Sequence, residues 1–168
     1  MRTYEWIDKS DWGDGPWNAE PDKVQWIDEG TDLDCLAVRG PMGCWCGYVG
    51  LPPSHPWHGR EYRDVEDEIE VHGGLTFSDR CMEGLPENQG VCHVPEPGRP
   101  ADVWWLGFDC GHAFDLSPGL EARMRSLRVD AIAQAHQRLV EAGFGETYKP
   151  LAYVQAEIRE LAHQLAEV

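Results

Sequence analysis

The sequence predicts an α+β domain, a mostly antiparallel sheet with two C-terminal helices packed on it. Three observations carry this. Short runs rich in β-branched and aromatic residues, punctuated by Gly and Pro, occupy the first two thirds of the chain. Apolar residues spaced three and four apart appear only after Leu120. Strands first and helices last is the order of an α+β domain rather than of alternating βαβ units. With 168 residues, 42% of them hydrophobic, the chain can bury a sizeable core as a single domain over 1–168.

The elements follow in order. Residues 1–30 are polar and dotted with Trp6, Trp12, Trp17 and Trp26. The turn-forming stretches Gly13-Asp14-Gly15-Pro16 and Glu20-Pro21-Asp22 separate these indoles. This part is expected to wrap over the domain as an arm, its indoles serving as apolar anchors. The sheet and its loops are expected over 33–115. Leu33 to Arg39 (LDCLAVR) reads as a first core strand ended by Gly40-Pro41, and Trp45 to Leu51 as a second, joined in a hairpin across Gly40 to Gly43. A proline-rich loop (Pro52 to Gly59) and an acidic stretch (Asp64 to Glu70) lead into a strand expected over Val71 to Phe77. Cys81 to Pro100 is a long irregular connection of the kind that carries function in compact domains. Val103 to Phe108, the most apolar run, is expected to be the central strand.

The helical part spans 118–168. Leu120, Met124, Leu127, Ile132, Ala135 and Leu139 give one helix from Leu120 to Ala142, stopped by Gly143 and Gly145. After Pro150, the stripe Leu151, Val154, Ile158, Leu161 and Leu165 gives a second. That stripe suits packing on the sheet or a seam with a second copy of the chain. Its length, about two and a half heptads, favours the sheet.

A formal charge of −16, from 30 acidic against 14 basic residues, disfavours nucleic acid as a partner, since the phosphates need a basic surface. A small anionic ligand stays open, because backbone N–H groups and two or three arginines can hold one. No run approaches the roughly 18 apolar residues of a membrane span, and the N-terminal stretch lacks the apolar core of a secretory signal. A soluble, cytoplasmic protein with reduced thiols is therefore expected. Cys44-Trp45-Cys46 is the one close pair among six cysteines, and its C-x-C spacing is a weak zinc signature.

Two glycine-hinged segments break the rules of apolar strands. One is Val71-His72-Gly73-Gly74-Leu75-Thr76-Phe77. The other is Trp104-Trp105-Leu106-Gly107-Phe108-Asp109-Cys110-Gly111-His112-Ala113-Phe114-Asp115. Each sets Gly and ionisable groups into apolar sequence, where burial would have to satisfy them, and such local conflicts mark functional or strained sites. The ligand-binding candidates are His72, Gly73, Gly74, Thr76, Trp105, Gly107, Phe108, Asp109 and His112, with Trp105 or Phe108 available to stack a base. For a metal the candidates are His72, Asp109, Cys110 and His112. The D-x-x-H-x-x-D spacing of Asp109, His112 and Asp115 would put all three on one face of a helical turn. Imidazole and carboxylate suit a divalent metal and an added thiolate favours zinc, but no cofactor is expected beyond a zinc that these donors could hold. Bland readings stand beside these: Cys110 as a buried filler, an Asp as a turn cap, Gly73-Gly74 as a bulge. No P-loop, H-E-x-x-H, G-x-S-x-G or dinucleotide fingerprint is present.

Four runs, Gly15-Pro16-Trp17 with Glu20 to Trp26 (EPDKVQW), Cys46 to Gly50 (CGYVG), Val71 to Phe77 (VHGGLTF) and Trp104 to His112 (WWLGFDCGH), resemble signatures of a widespread family of small bacteriophage and prophage proteins. The resemblance carries over no catalytic residue. It implies a viral origin and a place in the host bacterial cytoplasm, and by association a counter-defence role. Three functions are then expected. The first is binding a small nucleotide-type ligand, such as a host immune signal that is sequestered. The second is a zinc-dependent hydrolase in which His72, Asp109 and His112 hold the metal and Asp115 acts as base or orienter. The third is an acidic inhibitor, DNA-mimicking or anti-CRISPR in type, that binds a host defence protein.

Overall fold

The apolar runs either side of Gly40–Gly43 pair into a hairpin, closed by Gly40 N–H to the Cys44 carbonyl (2.8 Å) with Gly43 at φ +95°. It forms the middle of a six-stranded antiparallel sheet in a computed structural model that describes residues 1–82, 84–127 and 146–168. The strands are β1 (Arg2–Tyr4), β2 (Lys23–Ile27), β3 (Asp34–Arg39), β4 (Trp45–Leu51), β5 (Phe77–Asp79) and β6 (Trp104–Asp109), in the order β1-β2-β3-β4-β6-β5. Among the described residues two α-helices follow, α1 (Pro118–Ser126) and α2 (Leu151–Ala166). The α+β architecture and the β3–β4 hairpin are as the sequence predicts.

Alternation along the strands gives the sheet two buried faces. Cys35, Ala37, Trp45, Val49, Leu51, Trp104, Leu106 and Phe108 point to one face, where Val154, Ile158, Leu161, Ala162 and Leu165 of α2 cover them. Leu36, Val38, Tyr48 and Trp105 point to the other, where Val91 and Val103 of the 80–103 connection close a smaller core. Most of the 151–165 stripe is thus packed within the chain: Val154, Ile158, Leu161 and Leu165 have no exposure, and Leu151 is half-buried.

The structure departs from the sequence expectations at several points. The 1–30 arm is not merely a wrap, because it supplies β1 and β2. Its charges Asp22 and Lys23 go inside, beside Arg39 of β3, and all three are at most 1% exposed. Asp22 Oδ2 accepts from Trp6 and Ile7 N–H, while its Oδ1 pairs with Lys9 (2.7 Å) and Arg39 (3.3 Å). β6 is second from the edge rather than central, with the short β5 outside it. Val71 to Leu75 is not strand, because Gly73 and Gly74 sit at φ +67° and +83°, which no ladder accommodates. In α1, Leu120 and Leu127 are exposed rather than core-facing. The rest of the expected Leu120–Ala142 helix, with Ile132, Ala135, Leu139 and the stops Gly143 and Gly145, lies outside the described residues. Cys81 and Cys92 form a disulfide, so not all six thiols are free.

Among the described residues, no helix is long and apolar enough to cross a membrane.

Candidate functional site

Two tight turns face each other at one end of β6. In the first, Gly74 N–H closes onto the Val71 carbonyl (2.9 Å), leaving His72 and Gly73 at the corner with Gly73 in the left-handed region that such a third position requires. Thr76 N–H then docks on the Gly107 carbonyl of β6 (2.8 Å), which fixes the turn against the sheet. In the second, Asp115 N–H closes onto the His112 carbonyl (3.0 Å), and Phe114 occupies the corresponding position at φ +76°. A bulky residue there is strained by about 1–3 kcal/mol. Flanking bonds from Thr147 N–H to Phe114 O (2.8 Å) and Leu116 N–H to Thr147 O (3.1 Å) hold it in place. Backbone strain of this kind concentrates at functional sites.

The turns bring His72, His112 and Asp115 together. Their ligand atoms lie within 4.8 Å of one another, and no other set of three His, Cys, Asp or Glu side chains does so among the described residues. His72 Nε2 is 2.8 Å from Asp115 Oδ2, and His112 Nδ1 is 3.7 Å from the same oxygen. The two imidazole centroids are 5.7 Å apart. Neighbouring ligands of a tetrahedral ion with bonds near 2.0–2.1 Å are roughly 3.3 Å apart, so the two carboxylate separations bracket that spacing. His112 Nδ1 is buried without a hydrogen-bond partner. Gly73 makes the fit possible: a Cβ there would stand 2.2 Å from His112 Cε1.

Around the trio, each group has a hold. Tyr153 OH meets His72 Nδ1 at 3.0 Å, which turns Nε2 toward Asp115. Burial and the Glu157 carboxylate push the Tyr153 hydroxyl up, so it stays protonated. Glu157 Oε2 accepts from His72 N–H (2.9 Å), and Lys149 Nζ lies 3.5 Å from Asp115 Oδ1. Asp109 Oδ1 accepts from Gly111 N–H (2.9 Å) and stands 3.9 Å from His112 Nδ1. A groove of about 440 Å³, lined by Glu70, Val71, His72, Glu157, Glu160 and Gln164, opens beside His72. A larger hollow of about 830 Å³ by Trp26, Asp28 and Arg159 contains none of these side chains.

The expected residues are thus partly gathered and partly dispersed. His72, Gly73, Asp109 and His112 converge; Gly74 borders them, with open space where its Cβ would be. Thr76 is exposed and contributes its backbone. Trp105 and Phe108 cannot stack a ligand, since both are fully buried, on opposite faces of the sheet. Gly107 is open not for a ligand but for the Tyr48 ring, 2.2 Å from where its Cβ would be. Cys110 is 2% exposed and packed in the core, and its sulfur is not among the ligand atoms that converge. The D-x-x-H-x-x-D segment is not a helical turn, because Asp109 ends a strand. Asp115 therefore takes the close position expected of Asp109. Tyr153 and Glu157 escaped sequence reasoning. Their four-residue spacing on α2 was legible, but what they face depends on how α2 crosses the sheet. Compared with protein-family models, curated proteins and solved structures, the chain has no match.

Proposed function

We propose that His72, His112 and Asp115 form a divalent-metal centre, zinc by the chemistry of its donors, that serves a hydrolytic reaction. The convergence of two imidazoles and one carboxylate on a partly open rim is the observation that carries this. Two His and one carboxylate with a position left for water is the donor set of catalytic zinc. Such an ion lowers the pKa of bound water and so supplies hydroxide at neutral pH. Tyr153 supports the reading, because a metal-ligating imidazole ordinarily has its second nitrogen fixed by an outer partner. In this reading Asp109, whose Oδ1 stands 3.9 Å from His112 Nδ1, would take up the proton of such a water. The nucleotide-binding alternative retains the Gly73–Gly74 backbone but has lost both of its stacking rings. Its anionic ligand would also have to approach Asp109, Asp115 and Glu157, which a bound cation would offset.

The test is equilibrium dialysis against zinc, followed by hydrolysis of a generic phosphodiester. Wild type should bind one equivalent and hydrolyse the ester in a chelator-sensitive manner. His72→Ala, His112→Ala and Asp115→Asn should each lower affinity by more than about 100-fold, beyond what removing a group that only orients a ligand costs. Asp109→Asn should keep the metal and lose rate by about 10²–10⁴-fold. Metal binding undiminished in all three ligand variants would refute the centre.

A further inference from the structure

On the sheet face away from α2, Cys44 and Cys46 form a second cluster that the hydrolytic reading does not use. Successive odd and even positions of a strand alternate faces, so residues two apart project together. Cys44 just precedes β4 and Cys46 is its second residue, so the two thiols are neighbours on one face. The Ser117 hydroxyl neighbours Cys44 and the Tyr48 hydroxyl neighbours Cys46. Both cysteines are free and neither is fully buried, unlike Cys35 and Cys110. Cys46 is paired across the strands with Asp109, and the Cys44 sulfur lies over Gly111, where a Cβ would come to 3.5 Å of it. The Cys46 thiol beside it, aided by Ser117, holds the Cys44 thiol down to about 7, while the same pairing and burial push Cys46 up.

We propose that Cys44 and Cys46 are a dithiol site that captures one soft monovalent cation, copper(I) in class, between two sulfurs. The donor count selects this ion. Among the described residues no third His, Cys, Asp or Glu joins the pair, since the His72 trio is the one such set. Zinc asks for four ligands, whereas copper(I) favours soft sulfur and accepts two. On binding, Cys44 donates as thiolate and Cys46 releases its proton to solvent as the second sulfur–metal bond forms, with no change of oxidation state. Gly111, lacking a side chain, leaves the approach to Cys44 open.

The experiment uses the full chain with its Cys81–Cys92 disulfide intact, titrated anaerobically with copper(I) held by a competing chelator, ascorbate being the reductant because it spares disulfides. Wild type should take one equivalent. Cys44→Ser, Cys46→Ser and the double variant should weaken capture by more than about 100-fold, while His72→Ala should not change it. In wild type alone, bound copper should protect Cys44 and Cys46 from iodoacetamide, as mapped by peptide mass spectrometry. That readout stands even where a variant fails to fold. Capture unchanged in the double variant, loss of capture in His72→Ala, or Cys44 alkylated equally with and without copper would each overturn the site.

Discussion

At the residue scale, the two adjacent glycines do different work. Gly73 and Gly74 both hold positive φ, so Ala at either costs about 1–2 kcal/mol of backbone strain. Only at Gly73 does the added methyl strike the His112 ring. Gly73→Ala should therefore abolish metal binding at the His72 trio, whereas Gly74→Ala should lower stability alone and keep the metal. Zinc dialysis alongside urea unfolding separates the two; equal zinc affinity in both variants would show that the centre does not depend on Gly73. That His-Gly-Gly breaks strand rules was legible in the sequence. Which glycine matters was not, because the neighbour that decides it arrives from 39 positions away along the chain, at His112, by a turn whose left-handed residue is a phenylalanine.

At the scale of elements, one carboxylate couples the N-terminal arm to the C-terminal helix. Glu20 accepts from Arg39 (2.7 Å), Trp45 Nε1 (3.2 Å), the Tyr148 hydroxyl and Leu151 N–H (2.8 Å), the last at the start of α2. Burial works to raise its pKa, but the bonds from Tyr148, Leu151, Arg39 and Trp45 outweigh burial and hold it below the ordinary value. The Arg39 side chain has no exposure, so removing Glu20 leaves a buried cation with Asp22 as its remaining carboxylate. Glu20→Ala should destabilise by about 3 kcal/mol, roughly 6–12 °C in Tm, and Glu20→Gln by less. A Tm unchanged in Glu20→Ala would show that the network contributes nothing net. The strands over 34–39 and 45–51 and the α2 stripe were readable because their periodicity matches their burial. β1 and β2 were not: β1 is a three-residue edge strand with Arg2 exposed, and in β2 Lys23 and Gln25 carry polar side chains into positions that only distant partners, the Glu87, Cys92 and Val94 carbonyls, make tolerable.

At the scale of the molecule, the sheet separates two kinds of chemistry. The face opposite α2 buries His93 against Trp105, ring centroids 5.3 Å apart, and burial lowers the His93 pKa from its usual 6.5 despite the Asp34 charge. Below about pH 6.5 the unfolded chain then takes up a proton that the folded chain resists, so stability is full above that value and declines as pH falls. The urea midpoint should drop between about pH 7.5 and about pH 5.5, and His93→Gln should shrink the drop; an equal drop in both would place the acid sensitivity elsewhere. At the β6 end, the His72 trio offers nitrogen and oxygen to a cation, and Cys44 with Cys46 offers sulfur across the strand from Asp109. X-ray absorption at the zinc edge tells these apart in one spectrum, on the full chain loaded with one equivalent of zinc. A centre at His72, His112 and Asp115 predicts a shell of nitrogen and oxygen near 2.0–2.1 Å with imidazole outer scattering, and no sulfur near 2.3 Å. A sulfur shell, or a spectrum without imidazole, would contradict it.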